Sequence, residues 1–237
     1  MIRRPPRTTL CPYTTLFRSR VRLTGEIFVR RDPLSRRHLT EWFAGQGIAA
    51  LCSPVAEWLD YTDCLVGKGL TGNGARGTGR LRLALKRFVK GRDARRIRAA
   101  MARSGLVAAE VLPVETFIEN AAGHISPNLT GEAVLTVGAS LTEAASSVCG
   151  VIAIGPFGCM PNRVSEAILK EVMTLEEKKA LPAPRLNRHL SHLEDRALPF
   201  LAVESDGFPF PQLIHAQLEA FCVQALRLNA RMRGGRR

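Results

Sequence analysis

The chain has 237 residues, of which 46% are hydrophobic and 23% charged, enough to build the core of one large domain or two small ones. No apolar run approaches the roughly 18 residues that a membrane helix needs, so the sequence predicts a soluble protein without a membrane partner. A formal net charge of +13 leaves nucleic acid or another acidic partner open.

Residues 1–19 differ from the rest of the chain. They include the string PPRTTLCPYTTLFRS, which has neither helical nor strand periodicity and resembles the translation of a sequencing adapter. The apolar centre of a signal peptide is missing. We expect an artefactual or disordered leader at 1–19, which would make the chain an incomplete fragment. Without the four arginines of this segment, 30 basic residues face 21 acidic ones, a net charge of +9.

From residue 20 to residue 66 the pattern predicts a β-α-β unit. Residues 25–30 (GEIFVR) are typical of a strand, and Leu39, Trp42 and Phe43 follow at helical spacing. The apolar run 48–52 then predicts a second strand. A short crossover of this kind implies that the two strands are parallel.

Residues 67–122 are predicted to form a glycine-rich loop and a basic helical insertion. The string GNGARG at 72–77 formally matches GxGxxG, but a dinucleotide fingerprint needs a strand directly before it, and none is indicated. Between residues 76 and 103 there are eleven Lys or Arg against one acid, Asp93. Such a block can bind nucleic acid or an acidic ligand, although a solvated face is the commoner outcome.

Residues 123–228 are predicted to form an α/β lobe, followed by a disordered basic tail at 229–237. The expected elements are a helix at 131–146, a buried strand at 148–154, a helix at 162–173, a charged surface excursion at 176–195, a strand at 198–203 and a helix at 212–227. Helices that alternate with strands predict an α/β fold with a doubly wound, Rossmann-like, mostly parallel sheet.

Cys159 is the most reactive candidate among the cysteines. Outside the leader there are five cysteines and no CxxC pair, which predicts reduced thiols in a cytoplasmic protein. Cys159 lies in a glycine-containing turn between a strand and a helix, where exposed amides and the helix dipole favour a thiolate. A small side chain packed in a tight turn is the alternative, and packing is the expected role of Cys149 and Cys222.

Two late motifs carry a family resemblance. GPFGCMPNR at 155–163 and LPFLAVESDGFP at 198–209, with the helix at 212–221, resemble the 2-hydroxyacyl-CoA dehydratase family. The similarity is closer to its large CoA-substrate-specific activase-related members, which GEIFVR at 25–30, EW at 57–58 and GEAVLTVG at 131–138 also fit.

This resemblance implies the carboxy-terminal part of a lyase, or of its activase, that holds a 4Fe-4S cluster. Cys159 corresponds to a cluster cysteine, with the remaining ligands upstream and ATP bound only on an activator module absent from this chain. Glu204, Asp206 and Gln212 are candidates to support the cluster loop. The implied partners are dehydratase or activator modules of the parent chain, with acyl-CoA as a candidate ligand. No catalytic residue is assigned, and we expect the fragment alone to be inactive.

A second interpretation is a binding module without redox chemistry. In it, residues 76–103 engage nucleic acid or an acidic partner. Only Phe88 could stack on a base in this segment, so nucleic acid is the weaker of the two ligands.

Overall fold

The computed structural model describes residues 19–71, 77–103, 112–182, 190–191, 193–194 and 196–234. The strands are β1 (Ser19–Gly25), β2 (Ile48–Cys52), β3 (Val151–Pro156) and β4 (Phe200–Ser205). The helices are α1 (Ile27–Arg31), α2 (Leu39–Gly45), α3 (Val55–Lys68), α4 (Thr78–Ala102), α5 (Val114–Ala121), α6 (Glu132–Glu143), α7 (Met160–Val172), α8 (Leu175–Ala180) and α9 (Gln212–Gly234).

The four strands form one parallel sheet in the order β2-β1-β3-β4. Four consecutive residues of β3, from Val151 to Ile154, are fully buried, as expected for a central strand with both faces covered. Around the sheet, α3, α5 and α6 contribute Glu57, Phe117 and Glu143 to the surroundings of Arg22 on β1. The predicted α/β class with a parallel sheet is confirmed.

The first strand lies earlier than predicted. Residues 26–30 are not a strand, because Gly25 ends β1 at a φ of 104° and the Glu26 carboxylate then accepts hydrogen bonds from the amides of Phe28 and Val29. This cap begins α1. Ser19, which we expected in the leader, is the buried first residue of β1, and residues 1–18 lie outside the described residues.

Two further expectations need correction. The charged stretch that begins at 176 is not simply a surface excursion, because α8 buries Leu175 and the whole of Lys178. The last helix does not end at 227 but continues to Gly234, since Leu228 is buried and Met232 packs against the core. Residues 235–237 of the predicted tail are outside the described residues.

Candidate functional site at the carboxyl edge of the sheet

The parallel strands place all of their carboxyl ends along one edge of the sheet. From β1 the chain moves to β2 on one side and, after a long excursion, returns to β3 on the other side. Loops that leave neighbouring strands in opposite directions at such a point form the usual ligand region of parallel sheets. The carboxyl edge near β1 and β3 is therefore the expected ligand region.

Cys159 lies at this edge, directly before α7. After β3 the chain turns at Gly158, which has a φ of 72°, and the amide of Cys159 donates to the carbonyl of Pro156 at 3.1 Å. Cys159 is the N-cap residue of α7, but its side chain makes no capping hydrogen bond, and the residue is partly exposed. Cys159 therefore adjoins the amino end of a 13-residue helix.

Glu204, the first of the predicted supporting residues, contacts the Cys159 turn. Its Oε1 accepts a hydrogen bond from the amide of Gly158 at 3.3 Å, and its Oε2 pairs with the guanidinium of Arg163 on α7. Arg163 also binds Glu166 at 2.7 Å, and this bond together with Glu204 raises the pKa of Arg163. The carboxylate therefore connects β4 to the turn and to the helix that follow β3.

Asp206 and Gln212 do not join this contact. The Asp206 carboxylate accepts a hydrogen bond from the amide of Phe208 at 2.9 Å and thus shapes its own turn. Gln212 is an exposed residue at the start of α9. In the described part of the chain, no hydrogen bond links either side chain to Cys159.

Three of the other four described cysteines are buried, and the fourth, Cys52, is partly exposed like Cys159. Cys64, Cys149 and Cys222 are buried, and burial raises the pKa of Cys149 and of Cys222 to about 11. Cys52, at the end of β2, is half-buried, and its thiol donates to the carbonyl of Arg30. Burial raises the pKa of Cys52 as well.

The described residues do not bring together a complete metal site. No group of three or more His, Cys, Asp or Glu side chains among them could hold a metal ion. A cluster of iron and sulfide ordinarily needs about four protein ligands. Cys159 could supply one of them, and the others would have to come from outside the described residues.

Exposed apolar side chains lie on the loops that leave β3 and β4, a feature that the sequence interpretation missed. Phe157, Met160 and Phe208 are 76%, 70% and 72% exposed. Their loops are fastened together, because the amide of Phe157 donates to the carbonyl of Ser205 at 3.2 Å and the Ser205 hydroxyl donates to the carbonyl of Ser35 at 2.5 Å. Large exposed apolar side chains close together usually mark a surface that another molecule or domain covers.

The Asp32-Pro33 loop, which follows α1, is a turn held by its own side chain. In the Asp32-Pro33 loop, the Asp32 carboxylate accepts a hydrogen bond from the amide of Ser35 at 2.6 Å, which stabilises the turn itself. The glycine-rich match at 72–77 lies almost entirely outside the described residues, which resume at Gly77.

The basic insertion forms the long helix α4, which has no buried residue. Lys86 and Lys90 pair with Asp63 of α3 at 2.6 and 2.7 Å, and Arg87 pairs with Glu115 of α5. The remaining arginines of the helix, apart from Arg92, make no ion pair with any residue that the structure describes: Arg80, Arg82, Arg95, Arg96 and Arg98.

Comparison with known proteins finds no relative: no family model, no curated protein and no solved structure matches the chain. Of the helices in the described ranges, none combines the length and apolar character that crossing a bilayer requires.

Proposed function

We propose that this chain is the carboxy-terminal part of an iron–sulfur protein related to the 2-hydroxyacyl-CoA dehydratases and their activases, and that Cys159 is one of the cluster ligands. The protein would take part in ATP-driven, low-potential electron transfer to an acyl-CoA. ATP would bind on a separate activator module. A cytoplasmic location belongs to the same proposal.

The position of Cys159 carries the proposal. Its thiol is partly exposed, lies at the amino end of α7 and makes no capping hydrogen bond, whereas three of the other four described cysteines are buried. Thiolates bind iron best where a positive local field favours ionisation and where the metal can reach the sulfur. Among the described thiols, Cys159 combines partial exposure with a position at the amino end of a helix.

The surroundings of Cys159 support a site shared with another lobe. Phe157, Met160 and Phe208 would be covered if a second lobe or a partner chain docked on the carboxyl edge. That lobe would bring the missing thiolates. Glu204 would hold the turn by accepting from Gly158, with Arg163 fixing the orientation of the carboxylate.

The fold is consistent with this placement. We propose that the sheet is of the doubly wound, Rossmann-like type, because its strand order reverses between β1 and β3. In sheets of that type the ligand lies beyond the carboxyl ends of the strands at the reversal point.

The role of this chain in such a protein would be to hold and orient a redox group. When bound, a 4Fe-4S cluster would supply a one-electron donor of low potential. The residues of this chain would contribute one sulfur ligand and a rigid turn, while the apolar rim would exclude water after docking.

The test is anaerobic reconstitution of the full-length protein with iron and sulfide. Wild type should become brown and retain iron after desalting, and Cys159→Ser should lose most of that iron. Cys52→Ser is the matched control, because Cys52 is also partly exposed at a strand end but donates to the carbonyl of Arg30. Equal iron content in wild type and Cys159→Ser would refute the proposal.

A second candidate function is binding of an acidic partner by α4. The specific observation is a 25-residue helix that buries none of its residues and carries five arginines without an ion pair to any residue that the structure describes. Phosphates or carboxylates that bind such a helix release counterions, so the affinity falls steeply with salt.

Binding of an acidic partner by α4 is tested by titrating the chain with labelled duplex DNA and with labelled poly-glutamate at several salt concentrations. Replacing all five arginines with glutamine should abolish binding, whereas Arg31→Gln, an exposed arginine outside the helix, should leave it unchanged. Binding that is absent at low salt, or that does not respond to salt, would remove this candidate.

A further inference from the structure

A cavity of about 210 Å³ opens between α2 and the loop that leads into α9, and its lining includes neither Cys159 nor Glu204. It adjoins Phe208, whose carbonyl accepts a hydrogen bond from Arg37. Its lining combines one cation with aromatic and aliphatic side chains: Arg37, Leu39, Trp42, Pro209, Phe210, His215 and Leu218. Engineered apolar cavities of about 150 Å³ already bind benzene, so this volume suffices for one ring with a substituent.

The walls present aromatic surfaces that the core does not cover. Trp42 and Phe210 are only partly buried, although both pack against the core on one side. Phe210 meets His215 edge-on, with ring centroids 6.4 Å apart. Leu39 and Leu218 are buried and close the inner end. A planar ligand would therefore meet edges and faces of rings, an arrangement that aromatic groups favour.

Arg37 supplies the polar group of the cavity. Its Nε donates to the carbonyl of Phe208 at 3.0 Å, which fixes the side chain while leaving the two terminal nitrogens of the guanidinium available. No carboxylate in the described ranges lies within ion-pair distance of Arg37. Glu41 pairs instead with Arg36 at 3.4 Å and lies 3.9 Å from His38.

The backbone at this point is held in an uncommon conformation. Arg37 and His38 both lie in the left-handed region, with φ values of 52° and 51°. Two successive residues with side chains in this region carry a conformational cost, and such residues concentrate at ligand sites. Here the conformation directs Arg37 towards the loop that forms the opposite wall.

We propose that this cavity binds a small planar aromatic anion, with its ring between Trp42, Phe210 and His215 and its carboxylate on the guanidinium of Arg37. A carboxylate matches the fork of two terminal guanidinium nitrogens, and the ring removes apolar surface from water. A neutral aromatic ligand would leave the guanidinium of Arg37 without an anionic partner. An aliphatic acid would leave the aromatic side chains of the cavity uncovered.

The experiment uses benzoate as the probe and Trp42 fluorescence as the signal. Since the chain has two tryptophans, Trp58→Phe leaves Trp42 as the reporter. Benzoate should quench this emission with saturation, while benzyl alcohol and acetate, which lack the charge and the ring respectively, should bind at least about tenfold more weakly.

Two variants separate the parts of the site. Arg37→Gln should weaken benzoate binding about tenfold, the loss expected for one charge-assisted pair, while Arg31→Gln, an exposed arginine nearby in sequence, should not. His215→Ala, at an exposed position that is safe for folding, should also weaken benzoate and spare the spectrum of the free protein. Absence of saturable quenching, or equal affinity in Arg37→Gln and wild type, overturns the proposal.

Discussion

Replacing Arg22 with methionine should be among the most destabilising single changes in this protein. Arg22 lies on β1 and is only 6% exposed, yet it carries a charge. Its guanidinium pairs with Glu57 of α3 and, at 2.6 Å, with Glu143 of α6. Burial disfavours the charged form, but the two glutamates more than offset this and raise the pKa of Arg22.

The expected loss of stability comes mainly from the two buried carboxylates that methionine leaves without a partner. Removing one partner of a buried ion pair typically costs about 3–5 kcal/mol, because the other charge stays buried without compensation. Two carboxylates lose their partner here. The guanidinium also lies 5.9 Å from the ring centre of Phe117, a contact that adds roughly 0.5–1 kcal/mol. We therefore expect the free energy of unfolding to fall by about 4 kcal/mol.

Urea unfolding followed by far-ultraviolet circular dichroism measures this loss. The control is Arg20→Met, two residues earlier on the same strand, where the side chain is exposed and should contribute less than about 0.5 kcal/mol. Adding Glu57→Gln and Glu143→Gln to Arg22→Met should restore part of the loss, because neutral amides tolerate burial better than unpaired carboxylates. If Arg22→Met unfolds within about 1 kcal/mol of Arg20→Met, the ion cluster does not hold these elements together.

Two further predictions concern α6. Burial lowers the pKa of Lys178 to about 7, so between pH 7 and the ordinary lysine range the unfolded chain binds more protons and stability should rise with pH. Urea midpoints between pH 7 and about pH 8, below the pH at which the cysteines of the unfolded chain begin to ionise, should rise in wild type and in Lys179→Met but not in Lys178→Met; parallel curves would contradict this. A methyl group at Gly138 would overlap the carbonyl of Phe117, so Gly138→Ala should cost roughly 1–3 kcal/mol in the same assay. Gly123→Ala, which meets no atom within 4 Å, should be nearly neutral, and equal stabilities would count against the close packing.

Apolar runs in the sequence were sufficient to find three of the four strands. Residues 148–154 and 198–203 overlap β3 and β4, and 48–52 coincides with β2. Buried parallel strands show continuous apolar runs, which is a local signal. The helix α7 buries Asn162, Ser165 and Leu169, which repeat at helical spacing. In contrast, α6 buries every residue from Ala133 to Thr142, so the single buried face expected from its sequence is only part of what the fold covers.

The residues that the sequence did not identify depend on distant partners. Arg22 gives β1 the sequence of a solvent-exposed segment. The two glutamates that pair with Arg22 lie 35 and 121 positions away, so no local pattern shows that its charge is neutralised. Lys178 is similar: it is fully buried, and its Nζ donates to the carbonyls of Leu141 and Thr142 at the end of α6. Lysine and arginine are seldom buried without such partners, so composition alone predicts exposure.

The candidate site was predictable in part. The turn containing Cys159 and the contact of Glu204 with that turn follow from a strand-to-helix junction beside a neighbouring strand end. The exposed rim of Phe157, Met160 and Phe208 could not be anticipated, because exposure of an apolar residue depends on which other loops reach it.

Iron content after anaerobic reconstitution tests the role of Cys159 most directly. Elemental analysis of the desalted full-length protein should find about four iron atoms per chain in wild type and in Cys52→Ser. Cys159→Ser should retain far less. Iron that stays at the wild-type level in Cys159→Ser would mean that this sulfur does not bind the cluster.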